Sequence, residues 1–235
     1  MQIDILTLFP DSVLHMLRES IIGRAQNKGV IVIRAHQIRD FTQNKQKQVD
    51  DYPYGGGHGL IMQADPLYRC WEHVTAIHGA GRTVYLSPQG RLFCQAEARR
   101  LLAYEHLILV CGHYEGIDER FIEECVDEEI SIGDYVITGG ELAACVVADA
   151  VCRMVPGVLR EEAGFTGESH WAGLLEYPQY SRPEVWHDRA VPEVLLSGHH
   201  ANVAKWRHEQ ALERTQRKRP DLLGLQKPPK PGILN

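Results

Sequence analysis

Two short stretches limit the possible folds of this chain more than any others. Leu107–Cys111 reads LILVC, apolar at every position, and Thr83–Leu86 reads TVYL, nearly so. A strand with no polar face has no side to turn to water, so it belongs inside a sheet covered on both faces. Between the two, Gln95–Tyr104 has the composition and spacing of a helix. Strand, helix, strand in that order reads as a crossover between parallel strands, and hence as an α/β fold.

The same rhythm runs over the first 155 residues. Ile3–Phe9 is strand-like, and Asp11 offers a cap to an amphipathic helix in which Leu14, Leu17, Ile21 and Ala25 share one face, closing near Gly29. Val30–Arg34 reads as a strand, Asp118–Cys125 as one or two helical turns and Val136–Thr138 as a further strand. Leu142–Met154 is apolar nearly all round, which predicts a buried helix stopped by Pro156 and Gly157. Two segments break the rhythm. Residues 40–60 are polar and end in DDYPYGGGHG, and residues 160–182 show neither helical nor strand period. Helix returns over Ala201–Arg219, with Trp206 and Leu212 among basic residues. The expected organisation is an α/β domain over 1–159, a flexible linker over 160–182 and a small basic helical domain over 183–235, a mostly parallel sheet plus an α-helical appendage.

Charge follows the same division. The net charge is −6, yet residues 201–235 carry a balance of +5 and the first 200 residues −11. A basic appendage on an acidic body suits contact with a polyanion by the appendage alone. The six cysteines, at 70, 94, 111, 125, 145 and 152, include no CxxC pair and mostly sit in apolar runs, so the expected setting is a reducing compartment, the cytoplasm. The opening MQIDILTLFP carries an acid and no basic leader, and reads as a first strand and not a targeting segment. Twelve histidines come with no HExxH and no Cys/His knot, and no metal site is expected from these spacings.

In open α/β sheets ligands lie beyond the C-terminal ends of strands, where glycine lets the backbone come close. Three strand ends here carry such sequence: YLSPQG (85–90), CGHYEGIDER (111–120) and SIGDYVITGGELAA (131–144). None has the GxGxxG dinucleotide fingerprint, and no Lys-Ser or Lys-Thr follows the glycines as a phosphate cradle requires. With Asp134 and Glu141 as the charges near the third stretch, the expected ligand is neutral or cationic.

Those three stretches, together with VDDYPYGGGHGLIMQADPL, LLEYPQYSRPEVW and LLSGHHANVAKWR, resemble the bacterial tRNA guanine-N(1) methyltransferase family over essentially the whole chain. The resemblance implies a SPOUT-class fold with a deep trefoil knot, a homodimer with its active site at the subunit interface, S-adenosylmethionine as methyl donor, and tRNA with guanine at position 37 as substrate. Another knotted RNA methyltransferase, acting on rRNA or a ribose hydroxyl, is the alternative within that class, and a non-catalytic RNA-binding protein is the alternative outside it. Matching positions for the cofactor are Tyr85, Leu86, Ser87 and Gln89 in the first loop. In the second they are Gly112, Tyr114, Glu115 and Gly116. In the third they are Ile132, Gly133, Asp134, Tyr135, Val136, Ile137, Gly139 and Gly140.

For the acceptor, the resemblance implies an arginine at the end of the buried helix, here Arg153, and a carboxylate in the linker. The family's usual Asp-Ser-Phe reads Glu168-Ser169-His170, so Glu168 is expected to serve as general base with Ser169 beside the substrate. Asp50 and Gly56, in the glycine-rich loop, are expected to help hold the target base, and Arg207, Arg214 and Lys218 to meet phosphates. Three further departures are His58 for a proline, His113 for a common arginine and Ala143 for a proline. The two histidines read as surface residues.

Overall fold

A computed structural model describes residues 1–161 and 163–225. The chain divides into two compact units, Met1–Glu162 and Ala163–Asn235. The last ten positions of the expected basic domain, and residue 162 of the expected linker, lie outside the described residues.

In chain order the first unit comprises β1 (Gln2–Thr7), α1 (Pro10–Leu17), α2 (Ser20–Asn27), β2 (Val32–Gln37), β3 (Asp50–Asp51), β4 (Ile61–Met62), α3 (Ala64–His78), β5 (Arg82–Leu92), α4 (Gln95–Leu101), β6 (His106–Cys111), α5 (Glu119–Cys125), β7 (Glu128–Ser131) and α6 (Glu141–Cys152). Five strands form one parallel sheet in the order β2-β1-β6-β5-β7. The apolar stretches Leu107–Cys111 and Thr83–Leu86 fall in its inner strands. Every residue of β6 is buried, as are Thr83 to Leu86 of β5. The core over one face joins Leu6, Ile108 and Val110 to Leu67, Cys70 and Val74 of α3.

Four readings need correction. The helix expected from Asp11 to Gly29 is two helices. Ser20 stands at φ 53 between them, and a Cβ on Gly23 would lie 1.8 Å from the Arg18 carbonyl oxygen. The break shifts the phase of the second helix, so Ile22 is buried and Ile21 is exposed. Asp11 is in the first turn of α1, but no side chain caps that helix. Val136–Thr138 is not a strand, since the fifth strand is β7, which ends earlier in the chain at Ser131. The helix α6 is not buried all round. Leu142 and Val146, one turn apart, are exposed on its outer face. Finally α3 matches none of the expected elements, although Leu67, Cys70 and Val74 mark its inner face at helical spacing.

The second unit contains α7 (Ala163–Thr166), the short hairpin β8 (Val185–Trp186) and β9 (Arg189–Ala190), α8 (Glu193–Leu196) and α9 (His200–Lys218). Ala211 and Thr215 of α9 are its buried residues. Thr215 Oγ1 donates to the Ala211 carbonyl at 2.7 Å and accepts from the Leu175 amide at 2.8 Å, which ties the segment before the hairpin to the helix. No helix among the described residues is long and apolar enough to cross a membrane.

Candidate active site

Of the three glycine-bearing loops the first bulges from within β5 and the others follow β6 and β7; the three strands are neighbours in the sheet, and the loops line a single cleft of about 270 Å³. Sheet register builds the first wall. Leu86 and Arg91 of β5 both pair with Ile130 of β7, so Ser87 to Gly90 bulge out of the strand between them. Gly90 is required there, because a Cβ would sit 2.4 Å from the Ile130 amide nitrogen. Ser87 is buried and its Oγ accepts from the Gln89 amide at 3.1 Å, closing the bulge on itself.

The second loop, Gly112 to Gly116, turns back at Tyr114, which stands at φ 60. It is pinned from outside by the β4 segment. The Gly116 carbonyl accepts from the Met62 amide at 3.0 Å, the Glu115 amide donates to the Leu60 carbonyl at 3.0 Å, and Met62 bridges Ile117. Since Met62 also pairs with Asp50, the glycine-rich hairpin loop and the second loop are one assembly. The third loop crosses the second where Gly139 bridges His113 and the Gly140 amide donates to the Gly112 carbonyl at 3.0 Å. Gly140 then starts α6.

Every residue expected at the cofactor lines this cleft except Asp134, which is exposed outside it. The acids differ from the expectation too. Glu141 does not face the cleft. One of its oxygens accepts from Thr7 Oγ1 at 2.6 Å and the other meets His113 Nε2 at 2.7 Å. The carboxylates in the lining are Glu115, Glu119 and Glu129. Burial, with Glu129 and Glu119 near, pushes the Tyr85 phenol up to about 12, so the floor of the cleft keeps a neutral hydroxyl. His113 is likewise not a surface residue. Its side chain is 16% exposed, paired to Glu141, with Phe9 at 5.0 Å between ring centroids. His58 is exposed, and Ala143 reaches the cleft wall.

Asp50 is half-buried in β3, while Gly56 is exposed at φ 80 in the hairpin loop. Neither lines the cleft. An open groove of about 700 Å³ lies beside them, with Asp51, Tyr52, Tyr54, Tyr68 and Arg120 on its walls. Arg153 is the C-terminal cap of α6. Glu168 belongs to the second unit, in the turn after α7, where its amide donates to the Phe165 carbonyl at 3.3 Å. Ser169 Oγ accepts from the Glu176 amide at 2.9 Å, so its hydroxyl helps to hold that turn. On α9, Arg207, Arg214 and Lys218 recur on one side of the helix, with the Arg207 guanidinium 4.7 Å from the centre of the Tyr177 ring.

A parallel α/β sheet with a cleft walled by glycine loops and carboxylates from three adjacent strands has the arrangement of the ligand sites of open α/β proteins. Comparison with known proteins makes this specific. Residues 1–225 match the family model described as tRNA (Guanine-1)-methyltransferase TrmD. A tRNA (guanine-N(1)-)-methyltransferase of Ruminiclostridium cellulolyticum is 54% identical over 94% of this chain and 96% of its own length. One of Chloroflexus aggregans is 55% identical over 95% and 88%. One of Lachnospira eligens is 52% identical over 94% of each. The chain belongs to the TrmD family of tRNA guanine-N(1) methyltransferases.

Proposed function

We propose that this tRNA (guanine-N(1)-)-methyltransferase binds S-adenosylmethionine in the cleft between its three loops and acts on guanine at position 37 of tRNA, next to the anticodon. The observation that carries the reading is the convergence of the three loops of β5, β6 and β7 on one cleft in a chain of this family. The residues suit the cofactor. A Cβ on Gly112 would meet the Tyr85 hydroxyl at 2.8 Å and one on Gly140 would meet backbone, so the cleft exists only because these positions lack side chains. Glu115, Glu119 and Glu129 give it a negative lining that favours a cation.

The cofactor supplies an electrophilic methyl group. The remaining chemistry falls to the protein. The ring nitrogen of guanine bears a proton and has no free pair to offer until it leaves. We assign its removal to the Glu168 carboxylate, and the holding of charge that spreads to the neighbouring oxygen to the Arg153 guanidinium. Glu and Asp have nearly the same reference pKa, about 4.3 and 3.9, so the departure from the family residue leaves basicity intact. The glycine-rich loop bearing Asp50 and Gly56, and Ser169 beside the base, are assigned to substrate placement. The SPOUT knot is part of the same reading, supported by the pairing of the third loop with the second at Gly112 and Gly140. So is a homodimer, supported by the apolar Leu142, Val146, Tyr135 and Val136 left exposed on α6 and the third loop.

The test uses two readouts on one preparation. Transcripts with guanine at position 37 should accept one methyl group and those with adenine none, and light scattering should give twice the chain mass of 26.6 kDa. Equal methylation of the two transcripts, or none of either, overturns the substrate assignment. A monomer mass at micromolar concentration overturns the dimer.

The second unit is assigned to tRNA binding. Replacing Arg207, Arg214 and Lys218 by Gln should flatten the log–log salt dependence of tRNA affinity by about two to three units, close to one for each phosphate no longer neutralised. Cofactor affinity should not change. An unchanged slope would show that these charges only solvate the helix.

A further inference from the structure

On one face of the sheet, side chains of β1, β2 and β6 surround a buried carboxylate. Asp4 of β1 is fully buried, and one of its oxygens lies 2.6 Å from His36 Nε2 while the other lies 2.8 Å from His106 Nε2. The pairing of Asp4 with Arg34, and of Gln2 with both Val32 and His106, puts all these side chains over one face. The helix α3 covers that face and ends there at His78, whose ring lies 6.0 Å from that of His36. Asp4, His36 and His78 bring their ligating atoms within 4.8 Å of one another. His106 marks the start of β6 and the second cleft loop follows its end, about 17 Å away at the rise of a parallel strand.

We propose that Asp4, His36 and His78 form a binding site for a divalent transition-metal ion of the zinc, cobalt or nickel type. Two imidazoles and one carboxylate form a donor set that suits these metals and not magnesium or calcium. Three protein ligands leave one position of a tetrahedral ion for water. At bonds of about 2.0 Å the ligating atoms would close to about 3.3 Å, so the cluster must contract. His78 is placed to allow it, as the last residue of α3 with Gly79 at φ 88 directly after. The C-terminal end of a fifteen-residue helix also favours a cation.

The hydrogen bonding suits the proposal. His106 Nδ1 is buried and has no hydrogen-bond partner. A proton there would be a stranded donor, so Nε2 is the nitrogen that donates to Asp4. His106 thus fixes the carboxylate through the oxygen that the metal does not need, as outer partners of metal ligands do. Arg34 reaches the same oxygen as His106, at 3.3 Å, and also reaches Gln2 Oε1 at 3.1 Å, so it has a second partner when a cation enters. The metal would take the place of the proton between His36 and Asp4. The sequence spacing could not show this site, because its ligands come from two strands and a helix end spread over residues 4 to 78.

The test is a titration of tag-free, chelator-treated full-length protein with Co²⁺, read by visible d–d absorption, with Zn²⁺ as competitor and thermal unfolding in parallel. One equivalent of Co²⁺ should bind, be displaced by Zn²⁺ and raise the melting temperature. His36→Gln and His78→Gln should each weaken binding by at least about tenfold. His78→Gln changes a partly exposed helix end, so it keeps the test valid if His36→Gln fails to fold. A His199→Gln, His200→Gln double variant controls for binding by exposed histidines and should match the parent. Loss of the site in that control, its survival in His78→Gln, or no uptake at 100 µM or below (roughly the weak end of specific metal binding) would overturn the proposal.

Discussion

Glu168→Gln is expected to slow methyl transfer by about a hundredfold or more while leaving affinity for S-adenosylmethionine unchanged. Glutamine keeps the shape and hydrogen-bonding reach of the side chain but cannot accept the guanine proton. Glu168 lies outside all three cleft loops, in the turn after α7, so the cleft should not sense the change. Glu168→Asp restores the residue usual in the family and is expected to remain active. Single-turnover rates are the right measure, because slow product release hides a loss in the chemical step. A Glu168→Gln enzyme that matches the parent's rate across the pH range would place the base elsewhere.

Gly140→Ala is expected to act on the cleft itself. The added Cβ would sit 2.7 Å from the Cys111 Cα and 3.1 Å from the Gly112 amide nitrogen, both backbone atoms at the point where the third loop crosses the second. Neither can yield without moving the second loop. Overpacking of this kind costs about 1–3 kcal/mol, and the variant should melt lower and bind the cofactor at least about tenfold more weakly. Gly29→Ala makes the contrast. There a Cβ would meet nothing within 4 Å, and the φ of 71 adds backbone strain alone. That variant should lose stability without losing cofactor affinity. Equal cofactor affinity in Gly140→Ala and the parent would show that the crossing does not shape the cleft.

The α/β architecture was legible because β6 and the first half of β5 advertise burial on both faces, and no other arrangement satisfies such strands. Helix α3 was legible in principle at Leu67, Cys70 and Val74, but it opens directly after the short strand β4 with no side-chain cap to announce it. The split between α1 and α2 was not. Nothing in the spacing of Leu14, Leu17 and Ile21 signals the left-handed turn at Ser20. Val136–Thr138 misled because β-branched residues suit any half-exposed extended surface, and here they form a loop wall. The cleft loops were found by their glycines and by resemblance, yet their acids were misplaced. Glu129 reaches the cleft through its pairing with Tyr85, far earlier in the chain, and Glu141 is drawn away by Thr7 and His113. Such partners are set by register, which local sequence does not encode.

The bulge at Ser87 to Gly90 has a consequence for how tightly a ligand can be held. Both of its ends are fastened to the same residue of β7, so the loop is closed by the sheet and not by what it binds. The entropy of ordering that wall is lost once, when the strands pair, and is not charged again against each molecule that enters. A ligand that enters this cleft meets a wall already ordered, and its affinity reflects the interactions made and little of the cost of building that wall.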